Sequence, residues 1–145
     1  MKREWKNKKG LTLIEILMVL VLLSTVIGYI ATNVFKQVDK GNVQATKIAI
    51  SQLSGALDNF RIDCQRYPSE GEGLQILLKN QAAPDDCPAY DDGGYVKNET
   101  QLKDAWKKPF LYQNPNATEY EIISLGADNK KGGEKKNADI SSEDG

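Results

Sequence analysis

The chain has 145 residues, a net charge of −1 and no histidine. That length holds one small domain plus an extended element, and the missing imidazole removes the commonest general base and metal ligand. Charge is segregated: Lys2, Arg3, Lys6, Lys8 and Lys9 against Glu4 leave the first ten residues at +4 and the rest at −5, and so acidic a body has no electrostatic footprint for nucleic acid.

From Leu11 to Ile30 the sequence runs twenty residues with one formal charge, Glu15. At 1.5 Å per residue this is about 30 Å, the hydrocarbon thickness of a bilayer. The lysines on its amino side orient it with the start inside and the body outside. The carboxyl flank, Thr32-Asn33-Val34-Phe35-Lys36, lacks the small-residue cleavage pattern of a secretory signal. A plain signal anchor remains one reading, but it does not explain Glu15. A carboxylate inside an apolar spanning segment is costly and marks function.

The stretch Lys9-Gly10-Leu11-Thr12-Leu13-Ile14-Glu15 resembles the class III signal of type IV pilins and type II secretion pseudopilins. The resemblance implies that prepilin peptidase cuts between Gly10 and Leu11 on the cytoplasmic side and methylates the new amino terminus. Residues 1–10 are then a leader, which includes Trp5, and 11–31 a transmembrane and assembly helix. Leu11 stands where relatives usually carry phenylalanine, a mild change. The freed ammonium of one subunit can pair with Glu15 of its neighbour in a low-dielectric bundle, whereas an unpaired carboxylate there would cost several kcal/mol. Glu15 is thus read as a register pin for assembly, not as a catalytic acid.

Beyond the apolar run no proline occurs before Pro68, and Ala45, Ala49, Leu53, Ala56 and Phe60, with Ile48 and Leu57 beside them, form one face of an amphipathic helix. The pattern predicts one helix from Leu11 to Ile62, roughly 75–80 Å long. Its second half, 32–62, opens a body that runs to the end of the chain. Gly28, Gly41 and Gly55 weaken this helix by up to about 1 kcal/mol each. Thr32 stands where relatives often carry the proline that kinks the helix.

Arg66 to Leu74 ends the helix in a turn rich in proline and glycine. Leu74 to Lys79 reads as a short helix, and Ala83–Pro88 and Asp91–Gly94 as loops. Tyr95-Val96 begins a strand; Phe110–Tyr112 and Tyr120–Ser124 read as two more, joined over Asn114-Pro115-Asn116. The expectation is an α+β, type IV pilin-like fold: a long helix packed on a small antiparallel sheet of three strands within 63–124, then a carboxyl-terminal loop. Cys64 and Cys87 are either unrelated buried thiols or, if the body is exported, a structural disulfide of about 3 kcal/mol.

Arg66-Tyr67-Pro68 followed by Gly73-Leu74, and Asp104, Trp106, Pro109 and Tyr112 set against the relatives' D-P-W-G-N-P-Y, narrow the resemblance to the type II secretion major pseudopilins, the general secretion pathway protein G family. Ala105, Lys107 and Lys108 depart from that pattern. By composition alone the segment 125–140 is a solvated tail without EF-hand spacing. The resemblance makes it a calcium loop with Asp128, Asp139, Asn137 and the Leu125 carbonyl as ligands. Asn137 lacks the family's charge, and Lys130, Lys131, Lys135 and Lys136 crowd the loop, so affinity is lowered.

The function implied is a structural subunit, not an enzyme. It is held in the bacterial inner membrane with a periplasmic body, then drawn into a helical homo-oligomer, the pseudopilus, which pushes folded proteins through an outer-membrane channel. Its partners would be prepilin peptidase, minor pseudopilins, the inner-membrane assembly platform with its ATPase, and membrane lipid before assembly. The rivals are a type IV pilin for adhesion, motility or DNA uptake and a signal-anchored periplasmic binding module.

Overall fold

A computed structural model describes residues 10–79, 81–116 and 118–144. Of the expected leader only Gly10 is among them; Trp5 and the rest lie outside. Helix α1 runs Leu13–Cys64. The chain divides into two compact units, one up to Val38 and one from Asp39 onward.

In the first unit α1 carries leucine, isoleucine, valine and methionine on every side. Its large apolar residues are all exposed, Leu20 at 58% and Leu13 at 88%. The hydroxyls of Ser24 and Thr25 donate to the carbonyls of Leu20 and Leu22 at 2.7 and 2.8 Å. Each polar side chain is thereby satisfied inside the helix, the arrangement an apolar surrounding requires. By length and composition α1 can cross a membrane, with a mean hydropathy of 2.5 in its most apolar window.

In the second unit α1 is amphipathic. Thr46, Ile50, Leu53, Leu57, Phe60 and Cys64 are buried, at spacings alternating between four and three. Leu53, Ala56, Leu57 and Phe60 of the expected stripe are buried, and the stripe departs only in the turns before Leu53. Ala45 is exposed, Ile48 is 50% exposed and Ala49 is half-buried. Thr46 takes the core position because its hydroxyl accepts the Ala105 N–H at 3.2 Å, an interaction an alanine cannot make.

α1 stops at Gln65, whose φ of +60° cannot continue a helix. Its N–H donates to the Arg61 carbonyl at 2.8 Å, and its side-chain amide donates to the Ile62 carbonyl at 2.8 Å. Two carbonyls left over by the helix end are thus satisfied. Cys64, the last helical residue, is joined to Cys87 by a disulfide with the Cα atoms 4.6 Å apart. Leu74 and Leu77 on a 3₁₀ turn (Gly73–Leu77), Val96, Leu102, Phe110, Ile122 and Ile140 close the core. Full burial of one such side chain contributes roughly 1.5–3 kcal/mol.

The sheet has three antiparallel strands in the order β1 (Leu111–Asn116), β2 (Glu119–Ser124) and β3 (Ile140–Ser141). Leu111 pairs with Ile123, and Ser124 with Ile140. Three expectations change. Asn114-Pro115-Asn116 belongs to β1, not to the connection; β1 is an edge strand, where a proline without an N–H is tolerated. The turn lies beyond, where Asn116 Oδ1 accepts the Thr118 N–H at 3.0 Å. Tyr95-Val96 begins no named strand. Both N–H groups donate to the Leu77 carbonyl, at 2.8 and 3.0 Å, leaving only an isolated bridge of Val96 to Leu78. The third strand is Ile140–Ser141, at the end of the segment read as a loop.

Candidate functional sites at the helix start and the glycine-rich loop

Gly10 and Leu11 precede α1 and are exposed, Leu11 at 70%. Thr12 caps the helix: its hydroxyl accepts the Glu15 N–H at 3.3 Å, while the Thr12 N–H donates to Glu15 Oε2 at 3.4 Å. This reciprocal pair is a capping box. In a lone subunit Glu15 therefore has a partner within its own chain, and its carboxylate also sits at the positive end of the helix dipole. The residue missed from sequence is Thr12. Its signal was present as T-x-x-E ahead of an apolar run, Thr12-Leu13-Ile14-Glu15.

Two polar ties hold the body that carries the second site. Arg66 donates through Nε and Nη2 to Asp86 at 2.6 and 2.8 Å, and through both Nη atoms to Glu72 at 2.8 Å. The guanidinium holds the Glu72 carboxyl down at about 2 and lowers that of Asp86, while the two carboxylates raise Arg66. Tyr67 packs edge-on to Tyr120 with centroids 4.6 Å apart, and the Pro68 carbonyl accepts the Tyr112 hydroxyl at 2.8 Å. The second tie is buried Asp104. It accepts from the backbone N–H groups of Trp106 and Lys108, each at 2.9 Å, and from the Ser124 hydroxyl at 2.6 Å. The residues that carried the family resemblance in the body are mostly those that lock its loops together.

Ser124 leads into the glycine-rich loop. Gly126 is buried at φ +65°, and a Cβ there would lie 2.8 Å from the Lys136 carbonyl oxygen. At Gly133, φ +107°, a Cβ would come to 2.4 Å from the Asn137 carbonyl oxygen. Only glycine allows these approaches. The Ala127 N–H donates to the Lys136 carbonyl at 2.9 Å and closes the loop.

Of the expected ligands, Leu125, Asn137 and Asp139 are half-buried and Asp128 is exposed. Asp128 Oδ1 accepts the Lys130 N–H at 3.2 Å, and Asp139 Oδ2 accepts the Gly132 N–H at 2.9 Å. Asp139 Oδ1 is buried with no hydrogen-bond partner among the described residues. An orphaned buried carboxylate oxygen is costly, and hard cations take oxygen ligands of this kind. Among the described residues no three Asp, Glu, His or Cys side chains gather into a metal-holding group. An ion here would depend on two carboxylates and neutral oxygens. Lys136 is directed to Asp39, Nζ to Oδ2 at 3.3 Å, so one of the crowding lysines is neutralised.

A family profile described as "Type II secretion system (T2SS), protein G" matches residues 33–143. The chain belongs to this family. A second profile, "Prokaryotic N-terminal methylation motif", matches residues 5–31 and so takes in Gly10, Leu11 and Glu15. The Type II secretion system core protein G of Pseudomonas aeruginosa is 32% identical over 136 residues, covering 93% of this chain and 94% of that protein. The Vibrio cholerae protein of the same name is 30% identical over 139 residues, with 95% and 93% covered. A crystal structure of the major pseudopilin from the type 2 secretion system of enterohaemorrhagic Escherichia coli superposes with a TM-score of 0.60 at 26% identity, covering 73% of this chain and 86% of that one. The fold is therefore the type IV pilin-like one, α+β with a long amino-terminal helix. Family and apolar helix together make this a membrane-anchored protein.

Proposed function

We infer that the chain is a structural subunit of the type II secretion pseudopilus, the filament that helps export folded proteins across the outer membrane. Prepilin peptidase cuts between Gly10 and Leu11, and Leu11 becomes the methylated amino terminus. The subunit waits in the inner membrane with its body in the periplasm. The assembly platform then moves it into a helical homo-oligomer alongside minor pseudopilins.

One observation carries this reading: α1 bears large apolar residues on every side from Leu13 to Val38, all exposed, with a single carboxylate in its first turn. Such a surface is stable only against lipid or against other helices of its kind. The Thr12–Glu15 capping box gives the carboxylate a resting partner, a cap of typically about 1 kcal/mol. A neighbour's ammonium at Leu11 supplies full charge pairing in its place. The swap is favourable only once a neighbour is docked, which couples register to assembly.

In the glycine-rich loop we propose calcium. Asp139, whose Oδ1 has no hydrogen-bond partner among the described residues, and Asp128 would supply charge; the Asn137 amide and Leu125 carbonyl would complete the set. The ion would crosslink a loop that holds few bonds of its own. Gly126 and Gly133 bring the two loop branches close enough for that.

The deciding experiment is Glu15→Leu in a secreting cell. Membrane insertion is expected to persist while filament formation falls at least about tenfold, the effect of removing one well-paired charge. Normal filaments in this variant would overturn the assembly role and favour an anchored binding module.

A further inference from the structure

The charges of the body are sorted by end. Where the chain enters the body from its apolar segment, Asp39 pairs with Lys136 and Thr46 accepts the Ala105 N–H. The loops 103–108 and 130–136 therefore both lie beside the first turns of the body's share of α1. The bond from Ser124 to Asp104 ties their roots together. Lys107, Lys108, Lys130, Lys131 and Lys135 are exposed on these loops, and Lys40 and Lys47 are exposed on those turns. The acids at this end are partly engaged: Asp104 is buried and hydrogen-bonded, Asp39 is in an ion pair and Asp139 is half-buried. Asp128, Glu134 and Asp144, which lines a hollow with Lys47, remain exposed.

The other end reverses the sign. Around the last turns of α1 stand exposed Asp58, Asp85, Asp86, Asp91 and Asp92. They face Arg61, Lys79, Lys97 and an Arg66 already saturated by carboxylates. Lys107 stands in a turn that its own N–H closes on the Asp104 carbonyl at 2.9 Å. It holds φ +63°, a conformation that glycine adopts freely and a lysine only at steric cost.

We propose that the basic end of the body docks on an anionic phospholipid headgroup surface while the subunit is in the membrane. The proposal rests on the membrane reading of α1. Chain connectivity selects lipid as the partner: Ile30 ends the apolar run, and Lys40 follows it by only ten residues of chain. Clustered lysines are attracted to anionic lipid within a Debye length, about 8 Å at physiological salt. The tether holds them at high effective concentration there, while the acidic end is repelled. Docking would hold the unassembled body down on the bilayer until assembly lifts it.

The test uses the full chain carrying Trp5→Phe, so that Trp106, next to Lys107, is the only indole left. Single copies are placed in nanodiscs of phosphatidylcholine alone or doped with phosphatidylglycerol, each with a nitroxide on some headgroups. Trp106 quenching is expected to be roughly twofold stronger in the anionic discs, and the excess to vanish in high salt. Lys107→Gln/Lys108→Gln/Lys130→Gln/Lys131→Gln should remove the same excess, with melting by circular dichroism checking its fold; the salt arm reads the wild-type fold directly. Equal quenching in both discs overturns the proposal. If the lysine variant then fails only in forming filaments, the patch belongs to contacts with a second copy. Failure of the chain to enter discs at all would sink the membrane reading beneath the proposal.

Discussion

Leu20 and Leu57 lie on the same helix, yet the first is 58% exposed and the second 0%. Around Leu20 every side of α1 is apolar; around Leu57 one face is apolar and meets Leu74, Leu77 and Ile122 across the core. The difference shows where each half finds its stabilisation. The second half is complete within its own chain: buried side chains, a disulfide and the Arg66 tie. The first half is apolar all round, and its large apolar residues are exposed. Its energetic partners are other molecules, lipid first and sister helices later. Glu15 belongs to that half, and so its meaning depends on a neighbour.

The contrast can be broken by paired substitutions, read on the full chain in detergent with urea unfolding of the body. Phe60→Ala removes a ring that is 0% exposed and lies edge-on to Tyr90 and Tyr95. It should cost about 3–5 kcal/mol. Leu20→Ala should leave body stability unchanged and weaken filaments instead. Equal effects from the two would erase the distinction between the halves.

Next in size is the glycine-rich loop. Calcium at a hundredfold excess over its dissociation constant should stabilise the body by about 2.7 kcal/mol. A chelator should reverse the gain, and Asp139→Asn should abolish the response. A melting curve indifferent to calcium would assign the orphaned Asp139 oxygen to local strain.

The smallest effect is the pH response of the Arg66 tie. The Glu72 carboxyl sits at about 2 in the folded body against an ordinary 4.5, held down first by its hydrogen bonds to Arg66. Its folded value lies below its unfolded one, so its contribution is complete above about 4.5. That contribution fades as pH falls toward about 2. Asp86 shifts the same way from the same cause but is fully exposed, and adds little. Glu72→Gln should flatten the acid limb of a stability-against-pH curve; an unchanged limb would show the tie to be idle.

Much of the fold was legible because its signals are local. The absence of proline before Pro68 gave the helix, and the spacing of apolar residues gave its two characters. Gly10 and Glu15 flagged the amino-terminal site. Only the start of the stripe was misplaced, because Thr46 is polar by type and core by partner: the distant Ala105 N–H makes its burial favourable. The strand at Ile140–Ser141 was hidden because two residues carry no periodicity, and its pairing with Ser124 and Ile123 is long-range. Likewise Tyr95-Val96 has strand composition, but the Leu77 carbonyl takes its donors first.

By itself the sequence determined the long helix, the apolar start with its one carboxylate and the glycines of the loop, since each depends on neighbours within a few positions. Tertiary structure alone decided which face of α1 is buried, that Cys64 meets Cys87 and that one buried oxygen of Asp139 finds no partner among the described residues. Those outcomes depend on groups far apart in the chain, which folding brings together and which no local pattern records.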